Sequence, residues 1–143
     1  MGRIIKLSAI LAILIMMTTG CTNRATASVS PGTDLSMLKT MYVQKIPADK
    51  QTHELIADNL RSKGVAVTSG ESAAPSNVDA VVTYVDRWMW DMTMYMLELT
   101  INIRDPKTNT QLATGNSLHT SLTRKSPQAM VDEVLGNIYK SKK

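Results

Sequence analysis

The chain is poor in the residues from which most catalytic and metal sites are built. Its 143 residues include one cysteine and two histidines. Neither His53 nor His119 has ligand residues at the spacing of a zinc motif. The sequence also lacks a Gly-rich phosphate loop and a G-x-S-x-G nucleophile elbow. These absences argue against metal-dependent, phosphate-binding and serine- or cysteine-based chemistry, so we expect no cofactor and no enzymatic activity.

The single cysteine, Cys21, follows a segment with the order of a secretory signal. Residues 1–6 carry two cations, residues 7–17 are apolar except for Ser8, and residues 18–20 are small. The apolar run is too short to remain as a membrane-spanning helix. A lone cysteine in an exported chain cannot form an internal disulfide, so attachment of lipid explains it better. The pattern therefore predicts a signal peptide over residues 1–20.

The pair Gly20-Cys21 resembles the lipobox of bacterial lipoproteins, although Thr18 stands where that motif usually has Leu. The resemblance implies that the Cys21 thiol receives a diacylglyceryl group and that the freed amine is then acylated. Two or more fatty chains give stable anchoring where one is marginal. Because Thr22 rather than Asp follows the cysteine, the resemblance also implies the outer membrane, with the folded domain facing the periplasm.

The charge of the chain gives no reason to expect a nucleic-acid partner. The formal net charge is +4, and loss of Arg3 and Lys6 with the signal leaves +2. The remaining cations are spread out, apart from three lysines within residues 140–143 at the end of the chain. Such a terminus is more often a solvated tail than a nucleic-acid arm.

The segment after the cysteine is rich in Ser, Thr, Ala, Gly and Pro and has no apolar period. We interpret residues 21–36 as the lipidated cysteine and a flexible tether. The folded periplasmic domain is then predicted to occupy residues 37–143, which is enough chain for one core.

Within that domain the hydrophobic pattern alternates between strands and helices. Predicted strands cover residues 37–46, 65–68, 78–90, 92–104 and 111–122; predicted helices cover residues 49–63 and the segment that begins at Ser126-Pro127. The order β-α-β-β-β-β-α predicts an α+β fold. We expect a two-layer sandwich with a mixed sheet and both helices on one face.

The central hairpin contains the candidate binding residues. Alternation places the odd positions of residues 92–104 in the core and the even positions outside, while both tryptophans share one face. The candidate residues are Trp88, Trp90, Met92, Met94 and Met96. Two interpretations remain open: the cluster completes the core under the helices, or it is an exposed patch for a partner protein or a lipid surface.

Two carboxylates, Asp86 and Asp91, flank the tryptophans and suggest a weaker alternative, a hydrolase with an acid–base pair. Strand-end carboxylates more commonly cap turns or pair with a neighbouring arginine such as Arg87.

The run from Tyr84 to Asp91, together with Arg104–Thr108, resembles a group of small proteobacterial lipoproteins without an assigned activity. More loosely, the order of elements is similar to the folds of the lipopolysaccharide-assembly lipoprotein LptE, the TolB N-terminal domain and the curli-secretion lipoprotein CsgG. These resemblances imply envelope assembly through protein contacts. We therefore expect an outer-membrane lipoprotein that is joined to the membrane through Cys21 and binds an envelope protein. The alternative is a lipid- or glycan-binding module that uses the Trp/Met surface.

Overall fold

The computed structural model describes residues 23–141, which form six strands and two α-helices. The strands are β1 (Arg24–Val29), β2 (Thr40–Gln44), β3 (Ala66–Gly70), β4 (Ala80–Asp91), β5 (Thr93–Arg104) and β6 (Gln111–Leu118). The helices are α1 (Thr52–Ser62) and α2 (Pro127–Lys140), and short 3₁₀ helices cover Leu35–Met37 and Ser121–Thr123. The predicted signal peptide and Cys21 lie outside the described residues.

The strands form one mixed sheet in the order β1-β6-β5-β4-β2-β3. β2 is parallel to both β3 and β4, whereas β4, β5, β6 and β1 pair antiparallel. Both helices pack on the sheet and contact each other. The predicted α+β class with a mixed sheet and both helices on one face is thus confirmed, and α1 connects the parallel strands β2 and β3.

The last helix begins where the sequence predicts, whereas α1 covers Thr52–Ser62 and so begins three residues after the predicted start at residue 49. Ser126 accepts a hydrogen bond from the Ala129 amide at 3.2 Å, and Pro127 occupies the first helical position of α2. Gly64 follows α1 with a φ of +85°, a conformation that a side chain disfavours. The inward face of α2 is fully buried against the sheet, as its 3.6-residue period predicts: Met130, Val131, Val134, Leu135 and Ile138.

The prediction of a flexible tether before residue 37 is wrong. Residues 24–29 form β1, which pairs with β6 along its whole length, from Arg24 opposite Leu118 to Val29 opposite Ala113. Leu35 is buried in the core. An edge strand such as β1 buries little apolar surface, so its sequence lacks a strong alternation, and the hydrogen bonds to β6 order it instead. The folded domain therefore begins at the start of β1.

The predicted register of β5 is correct in only one half of the strand. Leu99, Ile101 and Ile103 are buried as expected. The pairing shifts between Arg87↔Glu98 and Trp88↔Met96, which leaves Leu97 as an extra residue in β5. A bulge of this kind exchanges the two faces of the strand beyond it. Below residue 97 the even positions therefore lie on the helix-covered face, and Met96 is fully buried there.

Candidate functional site

The β4–β5 hairpin closes in a very tight turn. Asp91 pairs with Thr93, and Met92 alone connects them. Met92 adopts a φ of +58°, a left-handed conformation that is unfavourable for a residue with a Cβ. The backbone at the turn therefore holds a large apolar side chain in a position where glycine or asparagine would be less strained.

The five residues predicted as a binding site separate into two groups. Trp90, Met92 and Met94 are 68%, 87% and 56% exposed. Trp88 is half-buried against the core, and Met96 is fully buried. The cluster is thus divided between the core and the surface of the domain. The exposed part lies at the closed end of the hairpin, where Trp90 pairs directly with Met94 across the strands.

A hydrogen-bonded carboxylate fixes the orientation of Trp88. Asp86 Oδ2 accepts a hydrogen bond from the Trp88 indole Nε1 at 3.1 Å and another from Thr52 Oγ1 of α1 at 2.6 Å. Because Thr52 is fully buried, this chain of contacts connects the hairpin to the first turn of α1.

The structure separates the two carboxylates considered as an acid–base pair. Asp86 and Asp91 lie five residues apart on β4 and therefore on opposite faces of the sheet. A strand rises about 3.3 Å per residue, so about 16 Å separates their Cα atoms. Carboxylates that act together in glycoside hydrolysis are at most about 9.5 Å apart. Asp91 instead accepts a hydrogen bond from the Ser121 hydroxyl.

A groove of about 570 Å³ lies between the hairpin and the loop that precedes α1. The loop contributes Ile46, Ala48, Asp49, Lys50 and Gln51, and the hairpin contributes Asp86, Trp88 and Met94. The groove combines an indole ring and aliphatic groups with charged and amide groups at one edge. The loop side of this groove could not be predicted from the sequence, because the register of a strand does not indicate which loop packs beside it.

Asp49 organises the loop side of the groove. Its side chain is 2% exposed and accepts hydrogen bonds from the Tyr84 hydroxyl at 2.6 Å and from the amides of Thr52 and His53 at 2.8 and 2.7 Å. Burial by itself would raise the pKa of Asp49, but these hydrogen bonds outweigh it and hold the pKa well below its usual range. Burial, followed by the bond to Asp49, raises the pKa of Tyr84. Asp49 therefore caps α1 as a carboxylate.

A second buried polar cluster joins α2 to the end of β6. Glu133 accepts hydrogen bonds from Ser117 Oγ, from the His119 ring at 2.7 Å and from Lys125 Nζ at 3.0 Å. Burial opposes ionisation of Glu133, yet these three contacts together lower its pKa from 4.5 to about 2. Ser117 is fully buried, and His119 is 6% exposed. The closed packing suits a structural cluster better than a substrate site.

The segment after β6 packs against the end of the hairpin. In addition to the contact between Ser121 and Asp91, Arg124 donates to Thr93 Oγ1 at 2.8 Å and stacks over the Tyr95 ring at 5.0 Å. Leu122, in the 3₁₀ helix between them, is 87% exposed.

The first described residue reaches the same region, because Thr123 Oγ1 donates to Asn23 Oδ1 at 2.5 Å. The chain therefore enters the fold beside the hairpin end.

Within residues 23–141, no three His, Cys, Asp or Glu side chains come together as a metal site would require. In the same described part of the chain, every helix is too short or too polar to cross a bilayer.

Comparison with known proteins identifies shared folds. No protein-family model matches the chain, and no curated protein matches it. A dodecameric PelC structure from Paraburkholderia phytofirmans superposes with a TM-score of 0.59 at 16% identity, over 80% of this chain and 98% of PelC. A second dodecamer, of a PelC variant from the same organism, gives 0.59 at 12% identity, over 85% and 98% of the two chains.

TolB from Acinetobacter baumannii gives a TM-score of 0.50 at 13% identity, over 85% of this chain and 31% of TolB. The expected similarity to TolB is thus confirmed at the level of fold. At such low identities these similarities concern the fold alone.

Proposed function

We propose that this protein is a lipoprotein anchored in the outer membrane through Cys21, with its α+β domain in the periplasm. In this proposal it acts without catalysis, as an interaction or assembly factor of the cell envelope. One structural observation carries the proposal: Trp90, Met92 and Met94 project from a domain whose inward side chains are otherwise closely packed. Exposed aromatic and methionine side chains in one cluster are typical of a contact surface.

Membrane attachment supplies the physical mechanism. A lipid anchor confines the domain to a thin layer beside the membrane and raises its effective concentration toward other components of that layer. A modest contact surface then suffices for stable association. Confinement of this kind favours an interaction factor over a freely diffusing binding protein.

One edge of β1 is not paired with any strand within residues 23–141, and this edge is a second candidate contact. The Ser30 amide donates to Leu112 O, so strand alternation turns the amides of Ala25, Ala27 and Val29 away from β6. Backbone amides at such an edge are able to donate hydrogen bonds to a strand that another chain adds to the sheet. The partner in such an assembly is an envelope protein or a further copy of this chain, and the dodecameric state of PelC, which shares the fold, is consistent with the second option.

The groove beside Trp88 favours one alternative, a glycan- or lipid-binding module. An indole face next to the carboxylate of Asp86 and the side chain of Gln51 offers both an apolar platform and hydrogen-bonding groups. A ligand in this groove would contact Trp88, whereas the interaction factor relies on the more exposed Trp90.

Metabolic labelling with palmitate tests the anchor directly. We expect label in the parent chain and none in a Cys21→Ser variant, which should leave the membrane fraction. A matched Ser8→Cys, Cys21→Ser variant moves the thiol out of the lipobox and should also remain unlabelled. Equal membrane association of parent and Cys21→Ser would contradict the proposed anchor.

The assembly role is tested on the acylated protein by crosslinking in intact cells, followed by mass spectrometry. A photoreactive residue at Ala25 should capture an envelope protein or a second copy. The same probe at Lys107, on the exposed β5–β6 turn, is the control. Equal products at the two positions would contradict a contact at the β1 edge, and glycan retained by the purified parent but lost from Trp88→Ala would favour the alternative.

A further inference from the structure

Apolar side chains are exposed on both faces of the hairpin end, which we define as residues 89–94. Trp90 and Met94 lie on the helix-side face, while Met89, 47% exposed, lies on the opposite face. Met92 occupies the apex between them. A protein partner with an ordinary flat surface would cover one of these faces. A lipid phase surrounds an inserted hairpin on both faces.

The first described residue, Asn23, is connected to this hairpin end through hydrogen bonds. Asn23 is hydrogen-bonded to Thr123, and the 3₁₀ helix that contains Thr123 is hydrogen-bonded through Ser121 to Asp91. Cys21 precedes Asn23 by two positions, and two residues of chain span at most about 7 Å. A lipid on Cys21 would therefore enter the membrane from the same end of the domain as the hairpin.

We propose that the hairpin end, together with Leu122, inserts into the interfacial region of the leaflet that holds the Cys21 lipids. This inference rests on the proposed function, because it takes Cys21 as the anchor. It names the envelope component that covers the exposed Trp/Met surface: the lipid bilayer itself. Tryptophan is enriched at the headgroup level of membranes. The exposed Arg124 guanidinium beside the hairpin is placed to meet lipid phosphates.

The two tryptophans of the chain allow a direct test. Acylated protein is reconstituted in phosphatidylethanolamine–phosphatidylglycerol vesicles, and its emission is compared with that of Trp90→Phe, in which only the half-buried Trp88 emits. The difference between the two emission signals is the emission of Trp90. We expect vesicles to reduce acrylamide quenching of Trp90 about threefold, since interfacial segments lie about 5–10 Å deep. Lipids brominated near the headgroups should quench it.

Two variants separate insertion from folding. Met92→Gly relieves the left-handed strain and removes the apex side chain, so it should fold at least as stably while restoring acrylamide access to Trp90. Met37→Ser removes a methionine that is 71% exposed outside the hairpin, and it should leave quenching unchanged. Trp90 quenching that vesicles do not alter would overturn the inference. Protection of Trp90 from acrylamide that rises with protein concentration in the absence of lipid would also overturn the inference, because a second copy of the chain would then cover the hairpin end.

The design distinguishes failure of this inference from failure of the proposed anchor. Intact mass of the purified protein shows whether Cys21 carries fatty chains. If it does not, the proposed function fails, and the thiol, which is the only one in the chain, is coupled to a maleimide phospholipid in the same vesicles. Protection of Trp90 in that sample would still support insertion of the hairpin end, whereas its absence would refute it independently of natural acylation.

Discussion

The ionised state of Glu133 should control how acid affects the stability of this domain. Its folded pKa of about 2 lies below the ordinary 4.5. The resulting stabilisation is therefore fully present above pH 4.5 and is lost as the pH falls toward 2. A pKa unit corresponds to about 1.4 kcal/mol, so the shift amounts to about 3 kcal/mol of unfolding free energy. The side chain is 21% exposed, which limits screening by solvent.

Replacement of Glu133 by Gln tests this value. The amide has nearly the same shape but cannot ionise, so Glu133→Gln should be less stable than the parent by about 2–3 kcal/mol at neutral pH. The difference should fall to about 0.4 kcal/mol near pH 2, where about half of the parent molecules are protonated at Glu133. The measurement is a series of urea unfolding curves from neutral pH downward, followed by far-UV circular dichroism.

The matched control is Asp132→Asn, at the neighbouring position of α2. Asp132 is exposed and accepts hydrogen bonds from the Asn59 and Gln128 side-chain amides. Its replacement should change stability by less than about 0.5 kcal/mol at every pH. The reasoning is refuted if the difference in unfolding free energy between the parent and Glu133→Gln is the same at pH 7 and pH 2. It is also refuted if the difference between the parent and Asp132→Asn shrinks with falling pH to the same extent.

Three further predictions concern the fold. Asp49→Ala removes the cap of α1 and leaves buried donors unpaired, so it should lower the free energy of unfolding by about 3 kcal/mol. Asp58→Ala, on the exposed side of α1, should lower it by less than about 1 kcal/mol. Chemical denaturation measures both values, and equal losses would contradict the role of Asp49. Gly115→Ala builds a Cβ that lies 2.9 Å from two side chains of α2, so we expect a loss of about 1–3 kcal/mol by calorimetry, and an unchanged melting temperature would show that α2 yields freely. Ala25→Pro removes a backbone amide that points away from β6 and should leave stability nearly unchanged. Thr26→Pro removes a backbone amide that faces β6 and should destabilise the pairing of β1 with β6. Similar unfolding midpoints for the two variants would contradict the assigned amide directions.

Elements whose signals are local could be predicted in detail. The Ser126-Pro127 start of α2, its buried face and the glycine after α1 depend on neighbouring residues alone. The β5–β6 turn is a further example, because Asp105 accepts the amides of Lys107 and Thr108, and Asn109 adopts a φ of +58°. In each case the same few residues provide both the signal and the structure.

The candidate site was predicted only in part, and the reason lies in one residue. The sequence left open whether the Trp88–Met96 segment completes the core or is exposed, and the structure divides the segment between the two. The bulge at Leu97 decides this, because it turns Met96 inward and presents Met94 beside Trp90. A bulge depends on how two strands align over their whole length, which alternation within one strand does not reveal.

The sequence by itself determined the α+β class, the two helices with their buried faces and the hairpin order, because each follows from the period of its apolar residues. It also determined that a single cysteine stands at the end of a signal-like segment. Only the tertiary structure decided that residues 24–29 form a strand, that Glu133 and Asp49 are surrounded by hydrogen-bond donors, and that Asn23 lies beside the segment that packs on the exposed hairpin end. These features depend on contacts between residues far apart in the chain, and such contacts leave no local pattern in the sequence.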